Sequence, residues 1–149
     1  MKTVCVSGGF DPIHVGHIRY FKEAKKLGDR LVVILNSDKF LKKKKRYVFI
    51  PFKERKEILE SIKYIDKVIR CIDKDQTVCK TLKKLKPDIF AKGGDKILKN
   101  IPERKICEEL GIKIISRVGG KKIQSSSWLL TKFTEFVIKK KNIKIGGRK

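Results

Sequence analysis

Residues 2–17 read KTVCVSGGFDPIHVGH, and this stretch decides the fold. Residues 2–7 form a short β-branched run that predicts a strand, ended by Gly8-Gly9. Residues 15–27 follow with helical spacing. Ile18, Phe21, Ala24 and Leu27 fall on one face, and Gly28 closes the segment. Strand, glycine turn and helix open a parallel α/β unit. In an open α/β sheet, ligands bind beyond the carboxyl ends of the strands, at the switch point. The turn over residues 8–17 lies there. Its glycines let a polyphosphate approach the backbone, and the helix start offers unpaired N–H groups with partial positive charge. His14 and His17 are the only two histidines of the chain. Three residues apart, they share one face of the first helical turn.

The pattern continues outward. Arg30–Leu35, RLVVIL, is a nearly continuous apolar run, as expected of a strand buried on both faces. Residues 39–46 hold six basic side chains in eight and read as a loop. Helices are predicted over 52–62, 77–85, 102–110 and from 125 to about 139, and strands over 67–71, 88–91 and 112–115. Pro102 stands at the start of one helix and Gly111 at its end. The alternation β-α-β-α-β-α-β-α-β-α predicts an α/β, Rossmann-like, doubly wound fold. Five parallel strands carry helices on both faces. One domain is expected over residues 1–138, with a basic tail over 139–149 that holds six basic residues and no acid.

At 149 residues the chain is about one domain long. Thirty-nine Lys and Arg against 16 Asp and Glu leave a net charge of +23. Hydrophobic residues are 40% of the chain, enough for a core, which argues against a disordered basic segment. No apolar run approaches the roughly 20 residues of a membrane span. The first residues lack the long apolar stretch of a signal peptide, so a cytoplasmic protein is expected. Cys5, Cys71, Cys79 and Cys107 form no CxxC pair and lie far from the histidines, so a zinc site is not expected. The charge points to a polyanion partner.

An HxxH pair alone is more often a cap or a surface feature than a site. Here it follows a strand, opens a helix and is preceded by two glycines. GGFDPIHVGH resembles the HxGH motif of the cytidylyltransferase-like nucleotidyltransferases. The similarity continues in order to about Leu130. Residues 50–69, with Glu54-Arg55, resemble the segment after the basic loop of glycerol-phosphate cytidylyltransferases. Lys92-Gly93-Gly94-Asp95 resembles the KGGD of heptose-phosphate adenylyltransferases. Gln124-Ser125-Ser126-Ser127 stands where the family opens its last helix with Ser-Thr-Thr.

The resemblance implies transfer of CMP or AMP from a nucleoside triphosphate to a small phosphorylated polyol, sugar or amino alcohol. Pyrophosphate leaves in line, with no covalent enzyme intermediate. Such catalysis rests on positioning and on neutralising charge. It implies that His14 and His17 donate hydrogen bonds near the reacting phosphorus, and that Lys44 grips phosphate from among Lys42, Lys43, Lys44, Lys45 and Arg46. Gly9 and Phe10 supply backbone beneath the phosphates, and Gly16 makes room at the helix start. Asp11 orients a histidine or takes part in binding Mg²⁺, the expected cofactor, and the sequence leaves both open. No metal ion held by protein ligands alone is expected. Gly94 and Asp95 contact nucleotide or acceptor. Arg117 resembles the arginine of the cytidylyltransferases' RTEG, although the segment here reads RVGG. Ser125, Ser126 and Ser127 cap the last helix and clamp the outer phosphates. Trp128 reads first as a packing residue. Arg55 supports the site or a dimer, or is a surface i,i+4 partner. A homodimer is expected. KGGD favours ATP, whereas the segment around Arg55 favours CTP, to which the sequence leans slightly. The competing class is a basic nucleic-acid-binding module, favoured by charge alone. Against it, aromatic residues are only 8% and no RNA-binding motif is present.

Overall fold

The computed structural model describes residues 1–94 and 100–140. The elements in chain order are β1 (Thr3–Gly8), α1 (Val15–Lys25), β2 (Arg30–Leu35), α2 (Asp38–Lys45) and α3 (Phe52–Glu60). They continue with β3 (Lys67–Arg70), α4 (Cys79–Leu85), β4 (Ile89–Ala91), α5 (Arg104–Leu110), β5 (Lys113–Ile115) and α6 (Ser126–Lys139). The strands form one parallel sheet in the order β3-β2-β1-β4-β5. The chain leaves β1 in one direction to reach β2 and β3, and crosses back to place β4 on the other side. The crevice between β1 and β4 is therefore the switch point.

Side chains alternate across the sheet with period two, and the two faces make two cores. Val4, Val6, Leu31, Val33, Leu35 and Ala91 face α1 and α3, where Phe21, Ala24 and Leu59 cover them. Cys5, Val32, Ile34 and Phe90 face the other way, against Leu82 of α4 and Cys107 of α5. A strand with both faces covered is why RLVVIL shows no alternation. The four cysteines are free thiols, with Cys5, Cys71 and Cys107 buried and Cys79 half-buried.

The basic run expected as a loop is the helix α2. Ser37 caps it, its hydroxyl accepting from the Phe40 N–H at 3.1 Å, and Asp38 sits in the first turn. Lysine is a good helix former. The four lysines 42–45 occupy the last turn, where cations complement the dipole, and Leu41 alone is buried. The charge run hid a helix that turns one apolar side chain inward. Residues 141–149 of the expected tail lie outside the described residues.

Candidate functional site

The turn after β1 delivers both histidines to the start of α1. His14 is the N-cap, in extended backbone. Its Nδ1 accepts from the Gly16 N–H at 3.1 Å, while the His17 Nδ1 accepts from the His14 N–H at 3.1 Å. This is a capping box built from imidazoles, satisfying donors that a helix start otherwise leaves open. The two rings stack at 3.7 Å between centroids. An imidazole that accepts at Nδ1 carries its neutral-state proton on Nε2, so each histidine keeps one N–H to donate. Burial, then the neighbouring His14, pushes the His17 pKa down to about 3. Burial, then the Lys122 cation, lowers that of His14. Both are neutral donors. A Cβ on residue 16 would meet the His14 ring at 2.8 Å, so Gly16 makes room for the capping imidazole. Phe10 holds the far side of His17, edge-on at 4.9 Å, and rests on Phe21 at 5.1 Å.

The facing wall is the start of α6. Ser125 is its N-cap and accepts from the Trp128 N–H at 3.1 Å. The Ser125 and Ser127 hydroxyls lie 3.0 Å apart, and the Ser126 hydroxyl donates to the Pro12 carbonyl at 2.7 Å. That last bond ties α6 to the β1–α1 turn. Two helix N-termini thus meet, neither with an acid in its first turn. This arrangement attracts anions.

Between them and the end of β4 lies a cleft of about 860 Å³. Gly8, Gly9, His14, His17 and Ser126 line its floor, and Lys92, Gly93 and Gly94 enter from β4. Residues 118–125 close the outer side. Gly119, at φ +92°, lets this segment lie against α1: a Cβ there would sit 2.9 Å from the Tyr20 Cα. The Tyr20 hydroxyl in turn donates to the Ala91 carbonyl. Arg117 is exposed and lies outside this lining, so the structure does not bring it to the histidines. Asp95 falls outside the described residues.

A second cleft of about 700 Å³ opens between α2 and α6. The two clefts share Gly9, Phe10, His17 and Ser126. Lys44 lines the second cleft, 5.9 Å from the Phe40 ring. Lys45 is committed to Asp11, pairing with its carboxylate at 3.2 Å and donating to its main-chain oxygen. Asp11 is buried, and its carboxylate accepts from the Phe49 and Ile50 N–H groups at 2.8 and 2.6 Å. Its ligands are main chain and Lys45, and neither histidine is among them.

Arg55 is 1% exposed, so it is neither a surface partner nor a dimer contact. Its Nη1 donates to the Gly9 and Asn36 carbonyls, both at 2.8 Å, and its Nε to the Ile50 carbonyl at 2.8 Å. Its Nη2 pairs with Asp38 at 2.7 Å. One guanidinium joins the loops after β1 and β2 to α3, using the fixed fork of donors that lysine lacks. Trp128, expected as packing, is instead 53% exposed, with Lys122 over its ring at 4.9 Å. Among the described residues no group of three or more His, Cys, Asp or Glu side chains converges as a metal site. Tyr20 and the Leu130, Thr131, Thr134 and Glu135 side of the second cleft were not singled out from sequence, and Lys92 and Gln124 entered only as the first letters of KGGD and QSSS.

Comparisons with known proteins agree with this geometry. The family described as cytidylyltransferase-like matches residues 5–141. The FAD synthase of Ferroglobus placidus is 40% identical over 116 residues, 76% of this chain and 72% of that protein. That of Pyrococcus abyssi is 38% identical over 112 residues, 74% and 75% of the two chains. The bifunctional protein HldE of Citrifermentans bemidjiense is 38% identical over 124 residues, 80% of this chain but 25% of that one. A crystal structure titled as the lipopolysaccharide core biosynthesis protein from Thermoplasma volcanium superposes with a TM-score of 0.67 at 30% identity. The match covers 78% of this chain and 96% of that one.

Proposed function

The chain belongs to the cytidylyltransferase-like family and is a nucleotidyltransferase, and from that premise we propose that it moves AMP from ATP to a small phosphorylated acceptor. The observation that carries this is the pair of neutral imidazoles, both with Nε2–H to donate, where two helix N-termini meet. Of the two nucleotides expected from sequence, ATP is the one used by relatives that make FAD and by heptose-phosphate adenylyltransferases.

The acceptor phosphate oxygen attacks the α-phosphorus, the α–β bridging bond breaks, and pyrophosphate leaves with the electron pair. No proton needs to move to the enzyme. His14 and His17 donate to the oxygens on which charge gathers, and preorganised donors of this kind stabilise a transition state strongly. Ser126, Ser127 and the α6 N-terminus hold the outer phosphates, and Lys44 faces the incoming phosphate. Mg²⁺ would enter with the triphosphate, as a hard cation that prefers oxygen ligands and substrate phosphates. When bound it neutralises phosphate charge.

The test is a screen of four nucleoside triphosphates against FMN, glycerol 3-phosphate and sugar phosphates, read by pyrophosphate release with and without EDTA. Release with ATP, abolished by EDTA, is expected. A folded sample that neither binds nor turns over any nucleotide would overturn the reading. The homodimer belongs to the same proposal, on a different surface from Arg55. Phe133 and Phe136 on α6 stack at 6.4 Å with their outer faces uncovered, and a second copy would cover them. Light scattering checks this, with Phe133→Glu expected to give monomer.

A further inference from the structure

Among the described residues, the cations that line the nucleotide cleft are Arg19, Lys92, Lys121 and Lys122. Lys122 is the one that relates to both walls of the site. Its ammonium stands 4.9 Å from the centre of the Trp128 ring, in the first turn of α6, and its charge weighs on His14 at the start of α1. The segment that carries it is held at each end. The Val118 N–H donates to the Lys92 carbonyl at 2.9 Å, and the Ser126 hydroxyl donates to the Pro12 carbonyl at 2.7 Å. Gly119 and Gly120, at φ +92° and +76°, turn the chain between them.

The choice of partner for this lysine is informative. Among the described residues no carboxylate pairs with it. It lies instead over an indole, the best aromatic face for a cation. A carboxylate would neutralise the ammonium and occupy its donors. An aromatic face orders the flexible side chain, yet leaves the charge and the N–H donors for another partner. Trp128, more than half exposed, has its ring in use this way rather than in the core. Two helix N-termini already draw anions to this place, and Lys122 adds a full charge beside the one that opens with Ser125, Ser126 and Ser127. The cation expected at Arg117 is thus supplied further along the same segment, since Arg117 itself lies outside the cleft lining.

We propose that Lys122 binds the outer phosphates of the nucleotide and stabilises the departing pyrophosphate, and that Trp128 is a positioning residue that holds the ammonium at the cleft until the triphosphate enters. This rests on the adenylyl-transfer reading above and adds to it the cation that meets the leaving group. As the α–β bridging bond breaks, charge gathers on the β-phosphate, and Lys122 donates hydrogen bonds to it while keeping its own protons. The ammonium leaves the indole face as it does so.

Trp128 is the only tryptophan of the chain, so its fluorescence reports that departure. Emission is followed while ATP, inorganic pyrophosphate or AMP is added with Mg²⁺, and affinities are measured by calorimetry in parallel. ATP and pyrophosphate should change the emission to saturation, and AMP, which lacks the outer phosphates, should not. Lys122→Met should weaken ATP and pyrophosphate by about 10- to 100-fold, the size of a charge-assisted hydrogen bond. It should leave AMP within about 3-fold, as should Lys132→Met for all three ligands. Trp128→Leu should weaken ATP less than Lys122→Met does, Trp128→Phe should recover part of that loss, and the double variant Lys122→Met/Trp128→Leu should be no weaker than Lys122→Met alone. Lys122, Trp128 and Lys132 are exposed, so these variants should fold. ATP affinity unmoved by Lys122→Met, an equal fall for AMP, or ATP binding that leaves the indole emission unchanged would overturn the proposal. So would additive losses in the double variant. Pyrophosphate carries no base, so a wild type that binds it but not ATP would remove the ATP reading alone, and one that binds neither would remove both.

Discussion

At the residue scale the proposed function makes both stability and rate depend on the same two histidines. An unfolded imidazole binds its proton near pH 6.5, whereas native His17 resists protonation down to about 3. Across that window the unfolded state binds more protons, so stability is full above pH 6.5 and falls as pH drops toward 3. Thermal unfolding followed from pH 7.5 to 4.5 should show this slope, and His17→Asn should flatten it. Protonation of His17 should not lower the rate between pH 7.5 and 5.5, since that ring stays a neutral donor throughout. A loss centred at pH 6.5 would contradict the geometry. Removing one transition-state donor costs about 10²–10³ in kcat in comparable sites, and His17→Ala should lose at least that in pyrophosphate release. The motif itself was legible because two glycines, two histidines and a strand–helix junction coincide in sixteen residues. The tautomers were not, because they follow from which N–H each ring accepts.

At the element scale the molecule depends on two joints. Ser125 caps α6, and Ser125→Ala should cost about 1 kcal/mol, read by urea unfolding. Arg55 holds three loops, and Arg55→Met should destabilise by about 3 kcal/mol or more, as loss of a buried charged hydrogen-bonding group does. Arg55→Lys should rescue little, because an ammonium cannot span four acceptors. Sequence reading found most of the helices and strands because their apolar periodicity is plain. It missed α2, whose apolar content is Phe40 and Leu41 amid lysines, although Ser37-Asp38 is a helix start in hindsight. It left Arg55 undecided, because an arginine beside a glutamate at a helix start looks the same whether it faces solvent or a cluster of carbonyls. Distant loop ends decide which, and those meet only in the fold.

At the scale of the whole molecule the excess of 23 positive charges opposes compaction. Adding salt screens that repulsion, so the melting temperature should rise between 20 and 300 mM NaCl at constant pH, contrary to a protein held by surface ion pairs. The charge also invites nonspecific adhesion to RNA. That binding should vanish over the same salt range while ATP binding persists, which separates a by-product of composition from the nucleotide site. No helix among the described residues is long and apolar enough to cross a membrane. The fold class and the cleft followed from the order of elements along the chain. The exposure of Phe133, Phe136 and Ile138 on α6 did not, since an amphipathic pattern says that one face is apolar and not what covers it.

Under the proposed function the capping box of imidazoles divides each ring between two tasks, one nitrogen for architecture and the other for substrate. Alanine removes both at once. A methyl group placed on Nε2, by incorporating Nτ-methylhistidine at residue 17, would silence the outward nitrogen and leave the inward one in place. Chemical synthesis or codon expansion could thus cut the shared atom set along a line that no encoded amino acid follows, giving a folded, capped and inactive protein.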